Sequence, residues 1–331
     1  MGDSTPRSAA AAQLDEGAPA AAAPSGAASG SGAAADGAGD GAALEAWQRQ
    51  YPMPTEQKGD PTAQFKALYT PPRNDAAGLA AAAAVIGGWA LLFSHAMWGV
   101  VLAGPGRSPW WDVVGTFFAL EFASAGLFIT THDAMHGTVC YRSRRLNDAV
   151  GWLAISLYAW FDYGMLHRKH WEHHGATGRP HSDPDFHRGN AALLPWFARF
   201  MWEYSTLLQF AKIFAWTMLL QSLGVQYANL VVYLAAAPIL AAFRLFYFGT
   251  YLPHLPRDGQ EEMGWQKSHS YDGGALAAFL QCYCFGYHLE HHRWPYAPWW
   301  DLPRCKAITR RLQAEGKMGR QPPGVQRLLW L

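Results

Sequence analysis

The stretch VVGTFFALEFASAGLFITTHDAMH, residues 113–136, decides the fold. Residues 113–131 carry one charge, Glu121, and run directly into His132. An apolar run of that length suits a bilayer-spanning helix, which needs about 20 residues. Continued as a helix, it sets His132 and His136 one turn apart on one face. Two candidate metal ligands therefore stand where lipid gives way to water.

Upstream, residues 76–104 hold no charged side chain, and the turn 105–110 returns the chain, so the two runs read as an antiparallel hairpin. Residues 149–160 are apolar but too short to span, and are expected to lie in the interface or re-enter. Two more spans are expected near 204–223 and 227–250, joined at Gly224. The predicted fold class is all-α and integral to a membrane: four transmembrane helices in two hairpins, plus interfacial helices. Lys212 and Arg244 fall inside the later spans, and Glu121 and Arg244 are read as a buried pair or as snorkelling side chains. The two short connections hold one basic residue, Arg107, whereas eight lie between the second and third spans, from Arg142 to Arg199. By the positive-inside rule both termini and both long polar segments, with every histidine cluster, face the cytoplasm or stroma.

Half of the 331 residues are hydrophobic and 15% are charged, against roughly 25% charged in an ordinary soluble domain. The net charge of +1 gives no basis for a nucleic-acid partner. Four cysteines are too few for a disulfide framework and read as reduced thiols, with Cys282 and Cys284 as small apolar packing. Residues 1–60 are expected to be a disordered Ala/Gly-rich tail, a linker or targeting segment without chemistry of its own. Residues 61–310 form the membrane-embedded domain, and 311–331 a short polar tail.

Three clusters carry the chemistry: HDAMH at 132–136, HRKHWEHH at 167–174 and HLEHH at 288–292. In the second, helical offsets place His167, His170 and His174 in one stripe, with His173 about 60° round from it. The third repeats offsets of three and four with His288, His291 and His292. His254, just past the fourth span, is placed to close the cage. Two, four and three members plus His254 make ten of the fourteen histidines. One HxxxH pair arises easily by chance; three clusters at one membrane face do not. Catalytic zinc needs about three protein ligands and structural zinc four, so this many imidazoles suit two metals with open positions. Imidazole binds Fe, Cu and Zn alike, and ligand type leaves the metal open. Asp133, Glu172, Asp183, Asp185 and Glu290 stand near these histidines in sequence. They read either as acids orienting imidazole N–H groups or as solvated loop acids.

These motifs, with DPDFHRGN (183–190), FRLFYFGTYLPH (243–254) and HLEHHRWPYAPWWDLPRC (288–305), resemble those of the carotenoid ketolases in the membrane fatty-acid desaturase and hydroxylase superfamily. The resemblance covers roughly residues 60–310. It implies a non-haem di-iron centre, O2, and electrons from a ferredoxin-type donor. It implies oxidation of the C4 methylene of a β-ionone ring by two successive hydroxylations and loss of water. β-Carotene would give echinenone and then canthaxanthin, and zeaxanthin would lead toward astaxanthin. The implied iron ligands are His132, His136, His170, His173, His174, His254, His288, His291 and His292, with His167 a ligand, a hydrogen-bond partner or a base. The implied setting is a chloroplast or other organelle membrane of an alga.

Trp160, Phe161, Tyr163, Phe246, Tyr247, Tyr251, Trp294 and Tyr296 are candidates to line the path of the polyene, or else an interfacial belt and helix packing. Two other readings compete. One is a fatty-acid desaturase or carotenoid 3-hydroxylase of the same superfamily. The other is a metal transporter, which would need ionisable residues along a path through the spans.

Overall fold

Helices alone carry the secondary structure of the described residues, 63–255 and 268–318 of this computed structural model, with no strand among them. The tail 1–60 and most of the expected polar tail 311–331 lie outside the described residues. Helix α1, Asp75–Ser94, begins on Asn74, whose side chain accepts the Ala77 N–H at 3.1 Å, with Asp75 in the first turn complementing the helix dipole. It continues through a wide π turn, His95–Gly99, as one apolar helix of 25 residues. Helix α2, Trp110–Met135, enters behind Pro109 and has 26 residues. Helices α3 (Arg144–Ala159) and α4 (Tyr163–Ala176) are capped by Ser143 and Asp162. Between them the left-handed Trp160, φ 57°, turns the chain.

Helix α5, Leu193–Tyr204, is followed by α6, Leu207–Ser222, which starts on a reciprocal Thr206–Gln209 capping box. Helix α7, Tyr227–His254, has 28 residues and two π turns, Leu230–Ala236 and Tyr247–Tyr251. Short helices α8 (Ala275–Cys282) and α9 (His288–Arg293) precede α10, Leu302–Ala314, which runs past the expected domain end at 310. Among the described residues, three helices are long and apolar enough to cross a membrane: α1 with its π turn, α2 and α7. The expected third span, α6, has 16 residues. At 1.5 Å per residue it reaches about 24 Å, short of a hydrocarbon core of about 30 Å.

Two polar ties fix how these helices meet. Trp89 of α1 donates to Ser124 of α2 at 3.2 Å. Glu121 of α2, fully buried, accepts from Arg244 of α7 at 2.6 and 2.8 Å, and the same guanidinium donates to the Gln281 carbonyl. Of the two readings of these charges, the buried pair is the one adopted. At one end of the bundle Asn229 donates to the Ala96 and Val100 carbonyls, both at 2.8 Å, and Trp98 donates to the Leu223 carbonyl. The turns after α1 and α6 therefore sit at the same end. The C-terminal ends of α2 and α7 lie at the other, and with them the histidines.

Candidate metal centre

Helix α2 delivers His132 in its last turn, and His136 caps it. Helix α4 supplies His170, His173 and His174; α7 ends on His254; α9 carries His288, His291 and His292. They meet as two groups of four, His132–His136–His170–His291 and His173–His254–His288–His292, each with its ligand atoms within 4.8 Å of one another. His174 adjoins the first group, its Nε2 3.1 Å from that of His170 and 3.0 Å from that of His291. In the second group, Nε2 of His288 lies 3.0 Å from that of His254 and 3.1 Å from that of His292.

These separations test whether metals fit. A single proton satisfies one Nε2 pair, yet the His174 and His288 nitrogens each face two others. With neutral rings protonated on the far nitrogen, the inner lone pairs converge, which a bound cation relieves. Bonds of about 2.1 Å set at right angles put neighbouring nitrogens about 3.0 Å apart, close to the distances found. The donor set fits two metal ions.

Burial drives His136, His170, His174, His288, His291 and His292 well below the ordinary imidazole value, and crowding by like groups adds to it. These rings are neutral at pH 7, the state a metal requires. His173 is the exception. Burial presses on its charged form, but Asp183 and Asp185 outweigh that and hold it up at about 9, so its Nε2 must release a proton before it can hold a metal. Its Nδ1 donates to Asp183 at 2.9 Å, which turns Nε2 toward His292 at 3.3 Å. Asp183 is itself fixed by the Gly178 N–H at 2.7 Å.

A cavity opens on both groups, touching His132 and His170 of the first and His173 and His288 of the second. Its other walls are largely apolar: Phe128, Phe161, Phe200, Met201 and Leu245. Phe285 sits between the groups, its ring centroid 5.0 Å from that of His132 and 5.2 Å from that of His288. Gly249, on the second π turn of α7, also lines the cavity, and any Cβ there would overlap the Phe285 ring. Wide turns of this kind are frequent at functional sites. The arrangement can hold an apolar molecule against two metals while keeping bulk water out.

Comparison with known proteins matches this chain to the fatty acid desaturase family over residues 108–224 and 198–323. The chain belongs to the fatty acid desaturase family. It is 54% identical over 274 residues to a zeaxanthin 4-ketolase of Chlamydomonas reinhardtii, covering 81% of this chain and 62% of the relative. Less than two thirds of that relative is therefore spanned. A beta-carotene 4-ketolase of Protosiphon botryoides is 50% identical, covering 81% of this chain and 73% of its own length. A beta-carotene ketolase of a Paracoccus species is 35% identical, covering 70% and 93%. No solved structure matches.

Within this desaturase-family chain, nine of the ten expected ligands gather in or beside the two groups, and His167 does not. It shares a stripe with His170 and His174, but each residue of helix advances 1.5 Å along the axis, so a common face is not a common depth. His167 instead faces α3, with Nε2 3.1 Å from the Arg144 guanidinium. Burial first, and then Arg144, lower it to about 4.

The acids divide. Asp183 and Asp185 stand beside His173, and Asp133 lies 3.8 Å from the His132 ring while accepting the Trp299 N–H. Glu290 is fully buried but is held by Ser270 and lies 3.7 Å from Lys306 of α10. Glu172 is exposed on α4, so of its two readings the solvated acid applies, on a helix rather than a loop.

Of the expected lining residues, Phe161 faces the cavity and the others are employed elsewhere. Tyr163 donates to Asp148, Trp294 to the Lys66 carbonyl, and Trp160 packs on Trp216. Phe246 packs on Trp196 and Phe200, Tyr247 stacks on Tyr251, and Tyr296 lies against Trp171. Sequence reading missed Trp171, which donates to the Met135 carbonyl and packs against His136 and His174. Its position inside the second histidine motif was the available signal. Phe128 and Leu245 were missed because nothing in an apolar helix marks the face that borders a cavity, and Phe285 because it stands in the turn between α8 and α9, where no periodicity points to a partner.

Proposed function

We propose that the chain is a membrane carotenoid 4-ketolase, oxidising the C4 methylene of a β-ionone ring to a ketone through two hydroxylations and loss of water. β-Carotene would pass through echinenone to canthaxanthin, and zeaxanthin would move toward astaxanthin. The observation that carries this reading is the pair of buried histidine groups facing one apolar cavity. His132, His136, His170, His174 and His291 would hold one iron, and His173, His254, His288 and His292 the other. Bound there, the irons would supply activation of O2 for insertion into a C–H bond, with electrons from a ferredoxin-type donor. The protein's part is placement and exclusion. Phe128, Phe161 and Leu245 take the ring, Phe285 limits its approach, and Asp183 fixes the His173 tautomer.

In this reading α6 completes a fourth crossing by local bilayer thinning. The helices then form two hairpins, α1 with α2 and α6 with α7, in an algal organelle membrane with the site on the stromal or cytoplasmic face. The catalytic domain runs from residue 61 through the end of α10. The test is expression in β-carotene-producing bacteria with pigment analysis. A red-shifted 4-keto product is expected, whereas a yellow 3-hydroxy product, or none, sinks the proposal. Metal analysis of the purified protein should give two irons per chain.

A further inference from the structure

The two histidine groups are not equally deep. All four members of the second are buried, whereas His170 of the first is half-buried. The first group also meets an aromatic side chain that stands apart from the cavity. The Trp171 ring centroid lies 5.0 Å from that of His136 and 5.6 Å from that of His174, and its N–H donates to the Met135 carbonyl at 3.1 Å. The same indole meets the Tyr296 ring at 6.1 Å. Trp171 is 5% exposed and Tyr296 is half-buried, so the two rings lead from the ligands toward the surface.

The surface they lead to carries cations. The Tyr141 hydroxyl donates to the Tyr296 carbonyl at 3.5 Å, and Arg73 is a charged neighbour of that hydroxyl. Arg142 follows in the chain, its side chain 83% exposed and 3.8 Å from Asp75. Arg168, one turn before Trp171 on α4, is exposed, as are Arg73 and the acid Glu172. In the ketolase reading each hydroxylation inserts one oxygen atom of O2 into a C–H bond and reduces the other to water, which takes two electrons and two protons. A protein donor cannot enter the apolar cavity, so its electrons have to cross the chain from the surface. Aromatic rings in contact bridge such a gap better than saturated side chains.

We propose that electrons reach the first histidine group through Tyr296 and Trp171, from an acidic one-electron carrier docked over Arg73, Arg142 and Arg168. This rests on the ketolase reading and adds where the donor binds and by which side chains its electrons pass. Two reduced carriers give up one electron each per hydroxylation and leave oxidised, and water supplies the two protons. The exposed guanidinium groups steer a negatively charged partner and fix its register.

The test uses the full chain, loaded with ferric iron in lipid nanodiscs, and reduced plant-type ferredoxin as the probe. Anaerobic oxidation of the ferredoxin is followed by its visible absorbance. Trp171→Leu and Tyr296→Leu should each slow it several-fold. Reduction by reduced phenazine methosulfate, small and apolar enough to arrive through the lipid, should keep its native rate in Tyr296→Leu, as should iron content. Arg142→Glu and Arg168→Glu should raise the ferredoxin concentration needed at low salt and lose that effect at high salt. Tyr296, one ring further from the histidines, carries the test if Trp171→Leu loses iron. A native ferredoxin rate in Tyr296→Leu, or equal slowing with both reductants, overturns the route. An unchanged salt response in both arginine variants overturns the docking site. A native chain that accepts electrons and yields no ketone from any carotenoid overturns the ketolase reading instead and leaves the route standing.

Discussion

At the scale of single residues, His254 and His167 show what decides a ligand. His254 stands 34 residues before its partner His288, yet their Nε2 atoms are 3.0 Å apart. His167 sits inside a histidine motif and is committed to Arg144. On the proposed two-iron ketolase reading, His254→Ala should lower bound iron toward one per chain and abolish ketone product, as should His132→Ala, with protein still present in the membrane. His167→Ala should keep native metal content, read by elemental analysis of purified protein. Iron lost to the same degree in His167→Ala would return that residue to the ligand set.

The imidazoles also set a pH dependence. Six have folded-state values well below the ordinary one, so the unfolded chain binds more protons as pH falls through about 6.5. Their contribution to stability is present above that pH and is lost below it. His173, held up at about 9, runs the other way, contributing below about 6.5 and fading as pH rises through its folded value. Six groups outweigh one. Thermal unfolding of chelator-stripped protein should show a midpoint that drops as pH goes from about 8 to about 5.5, and a midpoint rising over that range would contradict the reading.

At the scale of elements, the Glu121–Arg244 pair joins α2 to α7, the two helices that deliver His132 and His254. Glu121→Ala leaves a guanidinium without its carboxylate and should cost about 3–5 kcal/mol. Replacing both by apolar residues of similar volume should restore most of that. Unfolding of the detergent-solubilised variants measures both, and a single variant as stable as the native chain would show the pair to be dispensable. The second π turn of α7 serves the site in another way. It places Gly249 under Phe285 and Thr250 on the cavity wall, directly before His254.

For the whole molecule, the turns after α1 and α6 meet at one end and the histidines at the other. All four cysteines are buried, so cysteines introduced for labelling can be read against them. Positions 107 and 224 should label from one side of intact membranes, and 142 and 179 from the other. Labelling of 224 from the same side as 142 would remove the fourth crossing.

The sequence by itself determined the helical class and three of the four expected spans as long apolar helices, because length and charge exclusion are local properties, while the expected set of nine histidines came with the family motifs. It could not assign those histidines to two groups, remove His167, or find Phe128, Leu245 and Phe285. Those follow from the depth and rotation at which separate helices pack, set by ties such as Glu121–Arg244 and Asn229–Val100. A motif states which side chains share a face of their own helix; only the tertiary structure decides what that face meets.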